Sequence, residues 1–410
     1  MTIAELRTKH TAVLLGYGKE GQATEAFLRT FAPHARIIIA DASTDPSYLD
    51  QQYAGDLVIK TPGLPGSRLS VPYTTSTNLF LANTPCRVIA VTGSKGKSTT
   101  SSLIATLLRA HGYTVHLVGN IGEPSISLLL QPMSAQDIVV LEVSSYQAAD
   151  LDRAPGMVVY TSFFPEHLDY HGSLSAYANA KARLTLLQSS KDTFFYNPLY
   201  EELRHVAAQT HAKTVPFVEV LPFSLPTLRL RGEHNLGNIR GAWTVAHVFG
   251  VTSDEAQAAL AAFEPLPHRL TVLETIHGIT FVDDAIATTP EATIEAIRCF
   301  PKTNTIFLGG ADRGLSYHAL AEAMESSDIH HVVLFPTTGE LIRQALEKRS
   351  PDKYQFFSTS SMDEAVEWAF QVTPSGRVCL LSCASPSYSL WKNFEEKGER
   401  FAQAVAQLSK

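Results

Sequence analysis

The sequence predicts an α/β protein with three domains, each built around a largely parallel sheet. Short, nearly continuous apolar runs alternate with helical patterns along the 410 residues, which is typical of parallel strands covered by helices on both faces. Two glycine-rich loops, Gly16–Gly21 and Gly93–Thr99, each follow such a run and precede a helical pattern. These observations favour a Rossmann-like N-terminal domain at 1–82, a P-loop ATPase-type central domain at 83–265 and a Rossmann-like C-terminal domain at 266–410.

The boundaries follow two breaks in the pattern. Thr61–Gly66 is a proline- and glycine-rich turn, and Phe263–Arg269 contains prolines that cannot continue a helix. A helix is predicted at Thr100–Ala110, after the second loop. Strands are predicted at Ala12–Leu15, Arg36–Ala40, Leu57–Lys60, Arg87–Val91, Thr114–Val118, Asp137–Leu141, Met157–Tyr160, Val218–Leu221, Ile279–Val282, Thr305–Leu308, His331–Phe335 and Arg377–Leu381.

Composition indicates a globular protein and excludes several classes. Hydrophobic residues make up 45% and charged residues 18% of the chain, which supplies enough apolar material for packed cores. The net charge of -7 argues against sequence-independent nucleic-acid binding, which usually needs a basic face. No apolar run approaches the roughly 20 residues of a membrane helix, and no signal-peptide pattern opens the chain. With four cysteines at no metal-type spacing, we expect a cytoplasmic protein with reduced thiols.

The first glycine-rich loop predicts a diphosphate site. Gly16, Gly18 and Gly21 form a complete G-x-G-x-x-G, and Asp41 follows the second predicted strand at about the distance usual in dinucleotide-binding domains. Glycines let the backbone approach a diphosphate at the N-terminus of a helix. On these residues alone, a nicotinamide cofactor and a plain strand–helix turn remain alternatives.

The second loop predicts ATP binding. In such a loop the backbone N–H groups surround the phosphates, Lys97 neutralises the β and γ oxygens, and the Ser98 hydroxyl binds Mg²⁺. The pattern departs from the usual motif because Val91 stands where the first glycine is expected. The residues expected at ATP in this loop are Gly93, Ser94, Lys95, Gly96, Lys97, Ser98 and Thr99.

Three further polar residues follow neighbouring strands. Glu142 comes directly after the strand Asp137–Leu141, and a carboxylate at that end of a strand, beside a phosphate loop, is placed to hold Mg²⁺. His167 and Lys181 follow the next strand. Taken singly, these residues would be interpreted as an exposed glutamate, a surface histidine and a solvated lysine. A functional interpretation depends on their occurring together.

With these motifs the chain resembles the Mur ligase family, in its glutamate-adding branch. The resemblance covers nearly the whole chain, and its many motifs stand in the order found in the family. Besides the ATP loop, it rests on Gly119–Gly122, Glu142–Gln147, Glu166–Asp169, Tyr177–Lys181, Gly232–Asn238, Leu266–Arg269, Gly309–Arg313, Leu381–Ser385 and Lys392–Glu395.

The resemblance implies an ATP-dependent amide ligase of peptidoglycan synthesis, acting in cell-wall biogenesis, cell shape and cell division. The N-terminal domain would hold the diphosphate of UDP-N-acetylmuramoyl-L-alanine, so Gly16, Gly18 and Gly21 would bind UDP without NAD. ATP would convert the precursor's carboxylate into an acyl phosphate, which the glutamate amine attacks, leaving ADP and phosphate. A cytoplasmic monomer without a nucleic-acid partner is implied. Further precursor contacts are expected at Asp41, Thr61, Pro62, Gly63, Asn120, Ser144 and Gln147.

The resemblance also implies roles around ATP. Lys97, Glu142, His167 and Lys181 would be the catalytic residues, with a second Mg²⁺ on Glu142, His167 and a carbamylated Lys181. Carbamylation turns the amine into an oxygen ligand suited to Mg²⁺, whereas a plain lysine packed on its helix is the alternative. The remaining ATP contacts are expected at Asn235 and Asn238, and at Arg269 and Asp284 on domain closure.

The acceptor site carries one departure from the family. Contacts to the amino acid are implied at Thr288, Arg313, Ser387 and Phe394, and Arg313 offers a planar donor pair for a carboxylate. Where the family commonly reads Asp-Ser-Lys-Ala-Thr-Asn, residues 284–289 read Asp-Ala-Ile-Ala-Thr-Thr, so an isoleucine replaces a lysine. Related ligases that add L-glutamate have a similar segment ending in Thr-Thr-Pro. We predict D-glutamate as the acceptor, with L-glutamate as the alternative.

Three other hypotheses stay open on the sequence. Folylpolyglutamate synthetases also add glutamate, but the domain that precedes the ATP loop argues against them. A nicotinamide-dependent oxidoreductase built on Gly16–Asp41 leaves Gly93–Thr99 and Glu142 unexplained. A regulatory P-loop module would bind nucleotide and a partner without making a product.

Overall fold

A computed structural model of the chain describes residues 1–225 and 233–408 and confirms the α/β class. Gly232, the first residue of one predicted motif, lies outside the described residues. The chain divides into two compact units, the first reaching to Phe263 and the second beginning at Glu264. Two sheets lie in the first unit and one in the second.

The first sheet is parallel, with the strand order β2-β1-β3-β4. Its strands are β1 (Thr11–Leu15), β2 (Arg36–Ala40), β3 (Leu57–Lys60) and β4 (Thr74–Thr75). The helices of this region are α1 (Ile3–Leu6), α2 (Lys19–Phe31) and α3 (Ser76–Asn83). Thr75 caps α3, because its hydroxyl accepts the N–H of Asn78.

The second sheet is parallel throughout, with the order β10-β9-β8-β5-β7-β6. Its strands are β5 (Arg87–Thr92), β6 (Val115–Gly119), β7 (Ile138–Glu142), β8 (Met157–Tyr160), β9 (Thr193–Tyr196) and β10 (Lys213–Pro216). The helices are α4 (Lys97–Ala110), α5 (Ser145–Ala148), α6 (Leu168–His171), α7 (Leu174–Leu186), α8 (Glu201–Gln209), α9 (Glu233–Val248) and α10 (Ser253–Ala261).

The third sheet has the order β11-β12-β16-β13-β14-β15 and is parallel except for β11, which runs antiparallel to β12 at the edge. Its strands are β11 (Thr271–Ile276), β12 (Ile279–Asp283), β13 (Thr303–Gly309), β14 (His331–Phe335), β15 (Gln355–Ser358) and β16 (Val378–Leu381). The helices are α11 (Pro290–Cys299), α12 (His318–Glu325), α13 (Gly339–Arg349), α14 (Met362–Val372) and α15 (Phe394–Gln407).

Separate apolar cores cover both faces of the third sheet. Phe281 and Phe307 belong to one core, and Val282 and Ile306 belong to the other. Side chains alternate across a strand, so neighbours in sequence enter opposite cores. In the first unit one core joins Phe80 of α3 to the strands and helices around the second sheet, and a smaller core includes Val13 of β1 and Val58 of β3.

The structure corrects two boundaries predicted from sequence. Residues 218–221 are not a strand, and the edge strand instead lies at Lys213–Pro216. The apolar run was misleading because Val220 is exposed, whereas this partly solvated edge strand pairs on one side only and tolerates polar residues. Helix α4 begins at Lys97, three residues before the predicted start, so the phosphate-loop lysine is itself helical. Among the described residues, no helix is long and apolar enough to cross a membrane.

Candidate functional site

The first glycine-rich loop joins β1 to α2 at the carboxyl edge of the first sheet. Gly16 has a φ of +99°, and a Cβ at this position would lie 2.0 Å from the hydroxyl oxygen of Thr61. A Cβ at Gly21 would lie 2.4 Å from the Gly16 carbonyl. Both positions therefore require glycine, whereas Gly18 has open space and precedes α2 as its N-cap. The opening above Gly18 is the place where an anion could approach the helix N-terminus.

Asp41 closes one side of this loop. Its carboxylate accepts the N–H of Tyr17 at 2.6 Å and the N–H of Ser43 at 2.8 Å. The hydroxyl and amide of Ser43, with the amide of Tyr17, hold the pKa of Asp41 below its usual range. A cavity of about 320 Å³ opens here, lined by Tyr17, Gly18, Ile39, Asp41, Ser43 and Thr44. The predicted diphosphate loop thus borders an open pocket with both polar and apolar lining residues.

The predicted precursor residues Thr61, Pro62 and Gly63 follow β3 at the same edge. The backbone N–H of Thr61 donates to the carbonyl of Leu15 at 2.9 Å, which continues the pairing of β3 with β1. The Thr61 side chain also contacts the Gly16 position. The structure therefore brings this turn beside the glycine-rich loop, because parallel neighbouring strands end at the same edge.

The phosphate loop lies between β5 and α4. Gly93 has a φ of +149°, and Gly96, the N-cap of α4, has a φ of +84°. A Cβ at Gly93 would lie 2.0 Å from the hydroxyl oxygen of Thr161, so this glycine is needed for close packing. Ser94 does not face an open cradle, since its hydroxyl meets Tyr177 Oη at 2.7 Å and donates to the Phe164 carbonyl at 2.9 Å. Ser98 and Thr99 occupy the first turn of α4.

Two lysines converge on one carbonyl of the phosphate loop. Lys97 Nζ lies 2.9 Å from the Gly93 carbonyl oxygen and 2.9 Å from that of Ser94. Lys181 Nζ, from α7, lies 2.8 Å from the same Gly93 oxygen. Lys95 instead forms an ion pair with Glu166. Lys97 thus supplies positive charge at the loop, as a polyphosphate site requires.

Burial makes Lys181 unusual. Its side chain is fully buried, and its ammonium lies 5.2 Å from the centre of the Tyr177 ring. Burial lowers the pKa of Lys181 well below its usual range, and the charge of Lys97 lowers it further, while Glu166 and Glu142 act in the opposite direction. A neutral amine is nucleophilic, so this environment suits reaction with carbon dioxide.

Glu142 ends β7 and is buried beside the loop. One carboxylate oxygen, Oε1, accepts the amide N–H of Asn120 at 2.8 Å. The other, Oε2, has no hydrogen-bond partner among the described residues. A buried carboxylate oxygen left open in this way is a fitting ligand for a cation, and Asn120 orients it.

Ser144 and Gln147, two predicted substrate contacts, have a structural task. They form a capping box on α5, with the Ser144 hydroxyl accepting the Gln147 N–H at 3.2 Å and the Gln147 side chain accepting the Ser144 N–H at 3.0 Å. This box caps the N-terminus of α5, three residues after Glu142.

His167 lies just before α6 with a φ of +55°, a conformation that is strained for a non-glycine residue. Its Nδ1 lies 2.8 Å from the hydroxyl of Tyr146. That contact fixes one ring nitrogen, and the side chain is exposed. No group of three or more His, Cys, Asp or Glu side chains in the described chain is arranged to hold a metal. A metal at Glu142 and His167 would therefore need another oxygen donor, such as a carbamate on Lys181.

Asn235 and Asn238 bring α9 against the phosphate loop. Asn238 Nδ2 donates to Asn235 Oδ1 at 2.9 Å, and Asn238 Oδ1 accepts the Thr100 hydroxyl at 3.2 Å. A Cβ at Gly96 would lie 2.2 Å from the same Asn238 oxygen. The predicted ATP contacts Asn235 and Asn238 thus also hold α9 against α4.

The second unit holds the other predicted ATP residues, Arg269 and Asp284. Asp284 is buried, accepts the Ser382 hydroxyl at 2.8 Å and accepts the Leu270 N–H at 3.3 Å. Burial raises the pKa of Asp284 to about 7, although Ser382 and Arg269 oppose that shift. Arg269 therefore lies close enough to Asp284 to interact with its charge.

The predicted acceptor residues lie on loops of the third sheet. Arg313 is exposed, and its guanidinium lies 5.9 Å from the centre of the Tyr388 ring. Ser387 is buried, and its hydroxyl oxygen has no hydrogen-bond partner among the described residues. Phe394 begins α15, and Thr288 precedes the Thr289 cap of α11. A buried, unpartnered hydroxyl is a fitting contact for a polar ligand.

Sequence reasoning assigned no role to three polar residues in these regions, which are Glu20, Tyr146 and Asp283. Ser76 donates to Glu20, inside the first glycine motif, and burial raises the pKa of Glu20. The hydroxyl of Tyr146 contacts Nδ1 of His167, and Tyr146 lies within the predicted motif Glu142–Gln147. Asp283 pairs with His268 at 2.7 Å, and this hydrogen bond raises the pKa of the imidazole. The sequence does show an acidic residue beside a glycine at Glu20 and one at a strand end at Asp283. It could not show their partners, because Ser76 and His268 come from other segments.

Known proteins place the chain in a family. Residues 91–220 match the Mur ligase middle domain, and residues 268–384 match the Mur ligase glutamate ligase domain. The UDP-N-acetylmuramoyl-L-alanine--L-glutamate ligase of Salinispora tropica is 36% identical over 99% of both chains. The UDP-N-acetylmuramoylalanine--D-glutamate ligase of Leuconostoc citreum is 33% identical over 88% of this chain and 85% of that protein. The chain is thus an α/β enzyme of the ligase class and belongs to the Mur ligase family.

Solved structures agree on the fold. The MurF ligase from Thermotoga maritima, in complex with ADP, matches with a TM-score of 0.65 at 18% identity over 98% of this chain and 99% of that one. UDP-N-acetylmuramate-alanine ligase MurC from the same organism matches with a TM-score of 0.62 at 17% identity, covering 98% and 100% of the two chains. The oxidoreductase hypothesis finds no support in these relatives.

Proposed function

We propose that this protein is an ATP-dependent ligase that joins glutamate to UDP-N-acetylmuramoyl-L-alanine in peptidoglycan precursor synthesis. The observation that carries the proposal is the convergence of Lys97 and Lys181 on the Gly93 carbonyl, beside the open carboxylate oxygen of Glu142. A cationic Lys97, a buried lysine whose pKa is lowered and an unpartnered carboxylate oxygen around a single loop suit a polyphosphate and its metal ion. The full-length glutamate ligase relatives support the substrate assignment.

The chain's own residues then have the following roles. Lys97 neutralises charge on the transferred phosphoryl group, and the loop amides bind the phosphates. The precursor's diphosphate lies above Gly18 at the start of α2, and its sugar–peptide part extends past Thr61, Pro62 and Gly63. The γ-phosphoryl group of ATP passes to the precursor's carboxylate and leaves ADP. The glutamate amine then attacks the acyl carbon, the C–N bond forms as the C–O bond to phosphate breaks, and the amine's proton passes to the departing phosphate or to solvent.

Magnesium fits the residues at the loop. Ser98 would hold one ion, and Glu142 and His167 would hold a second, together with a carbamate on Lys181, which supplies the oxygen donor that the unmodified side chains lack. When bound, Mg²⁺ neutralises phosphate charge and aligns the reacting oxygens. Asn235, Asn238, Arg269 and Asp284 complete the proposed ATP contacts, and the protein acts in the cytoplasm.

D-glutamate is the acceptor predicted from the sequence, bound by Thr288, Arg313, Ser387 and Phe394. L-glutamate is a second candidate, favoured by a specific observation. The Thr288-Thr289-Pro290 segment replaces the lysine-containing pattern, and relatives named as L-glutamate ligases align over 99% of the chain, as D-glutamate ligases do over 97–98%. In either case the bond formed and the energy source are the same.

One assay tests the whole proposal. The enzyme is incubated with ATP, Mg²⁺, UDP-N-acetylmuramoyl-L-alanine and pure D- or L-glutamate, and both phosphate release and the UDP-linked product are measured. Product with one enantiomer and none without the precursor is expected. Lys97→Ala should remove turnover in a folded protein. Phosphate release without any product would instead favour a regulatory nucleotide-binding module.

A further inference from the structure

Lys60 and Asp150 form a buried ion pair that no predicted role explains. Lys60 is the last residue of β3, its side chain is fully buried, and its Nζ lies 2.5 Å from Asp150 Oδ2. The same ammonium donates to the carbonyl of Leu64 at 2.7 Å. Lys60 therefore ties both ends of the turn that contains Thr61–Gly63 to a residue that follows α5.

Asp150 is in turn held by the N-terminal part of the unit. Tyr73 donates its hydroxyl to Asp150 Oδ1 at 2.7 Å, and Asn78, on α3, donates its side-chain amide to the Asp150 carbonyl at 2.8 Å. A Cβ at Gly66 would lie 2.0 Å from the Tyr73 hydroxyl oxygen. The surroundings of Asp150 are thus closely packed from several segments, and a shift of the ion pair would disturb all of them.

Tyr170 holds the same turn from another direction. Its hydroxyl donates to the carbonyl of Pro62 at 2.9 Å. Its ring lies 4.1 Å, centre to centre, from that of Tyr146, whose hydroxyl meets His167 Nδ1 at 2.8 Å. A continuous series of contacts therefore runs from the turn at Pro62 to the segment of His167.

Such a network has an energetic consequence. A buried ion pair costs desolvation free energy, and an apolar pair of similar volume is often as stable. Overall stability therefore does not explain why charges are placed here. What the pair and the Tyr170 hydroxyl provide is a fixed geometry, because each hydrogen bond ends on a backbone carbonyl of the turn, at Pro62 or Leu64.

We propose that Tyr170, together with the Lys60–Asp150 ion pair, is a positioning element that holds the 61–64 turn, and with it the precursor, in register with the phosphate loop. The inference rests on the proposed function, and it adds residues that touch neither ATP nor the reacting atoms. It predicts that weakening these contacts impairs use of the UDP-linked precursor selectively, because Tyr170 and Lys60 donate to carbonyls of the 61–64 turn and not to the phosphate loop.

The test is steady-state kinetics of Tyr170→Phe, which removes only the hydroxyl. The KM for UDP-N-acetylmuramoyl-L-alanine should rise roughly 3- to 10-fold, as expected for one hydrogen bond, with the KM for ATP unchanged. Tyr113→Phe is the matched control. It also removes a hydroxyl that donates to a backbone carbonyl, at Phe249, 3.2 Å away, and it should leave both KM values unchanged.

Asp150→Asn provides a second variant, which removes the charge that faces Lys60 and keeps an oxygen for Tyr73. It should raise the precursor KM at least as much as Tyr170→Phe does. An unchanged precursor KM in active Tyr170→Phe enzyme overturns the inference, as does an equal rise in both KM values. A wild-type enzyme that makes no product contradicts the proposed function instead, so the two failures are distinguishable.

Discussion

Single residues carry most of the chemistry proposed for this ligase, and the role proposed for Lys181 depends on its burial in the fold. The sequence places it downstream of His167, but only the fold buries its ammonium against Thr92 and Gly93. Burial keeps the amine neutral more readily than in solvent, which is the condition that carbamylation needs.

Carbamylation of Lys181 can be tested by chemical rescue. We expect Lys181→Ala to lose most activity and to regain part of it with added short-chain carboxylates, which place an oxygen ligand in the vacated space. Turnover is measured against acetate concentration, with Lys97→Ala as the control that carboxylates cannot restore. Full activity of Lys181→Ala without any additive would show that the lysine is only structural.

Asp284 predicts a pH dependence of stability. Its pKa of about 7 in the folded chain lies above the ordinary value of 3.8, so the folded state binds the proton more tightly than the unfolded state. The free energy of unfolding should therefore fall as the pH rises from about 4 to about 7, by up to about 1.4 kcal/mol per unit of pKa shift. Urea unfolding at pH 5 and pH 8 measures this loss.

Asp284→Asn should reduce that loss, since the amide carries no titrating proton. The exposed Asp352 in the same unit gives the control, and Asp352→Asn should keep the wild-type pH dependence. An Asp284→Asn variant with the full wild-type loss would mean that another group causes it.

At the scale of single elements, helix α7 connects stability to the site. It carries Tyr177 and Lys181 on its buried side, and Ser173 caps its N-terminus by accepting the N–H of Ala176 at 3.1 Å. Capping hydroxyls satisfy backbone N–H groups that the helix itself leaves open.

Ser173→Ala should therefore lower the free energy of unfolding by about 1 kcal/mol. Ser173→Asn is the matched control, because asparagine also caps helices and should keep stability near that of the wild type. Denaturant unfolding of the three proteins gives the comparison. Equal stability of Ser173→Ala and the wild type would show that α7 does not depend on this cap.

For the whole molecule, the proposed substrates predict a pattern of ligand stabilisation. A ligand that binds only the folded state raises the melting temperature as its concentration exceeds its dissociation constant. UDP-N-acetylmuramoyl-L-alanine should raise the melting temperature and NAD should not, because the glycine-rich loop is assigned to the precursor's diphosphate.

Gly18→Val supplies the control for this measurement. A Cβ at Gly18 meets nothing within 4 Å, so the variant should fold, but its side chain would fill the space where the diphosphate approaches. The shift caused by the precursor should shrink in Gly18→Val, while the shift caused by ATP persists. A shift with NAD and none with the precursor would reverse the assignment of this loop.

Much of this protein could be predicted from its sequence. The α/β class follows from apolar strands, and the bounds of β3 and β14 match the predicted ones because these runs are buried in their sheets. The bounds of β2 also match, although this edge strand is only partly buried. The phosphate-loop motif is also local, since it is recognised from a few consecutive residues, although Gly93 and Gly96 pack against Thr161 and Asn238. Family membership follows from the order of such motifs along the chain.

Only the tertiary structure decided which distant groups meet. Ser94 turns to Tyr177, Glu142 keeps one oxygen open, and Lys60 pairs with Asp150, ninety positions along the chain. The edge strand Lys213–Pro216 likewise depends on its pairing with β9 and not on an apolar pattern. The physical reason is that backbone propensities and glycine turns act over a few residues, whereas burial, ion pairing and pKa depend on segments that meet only after folding.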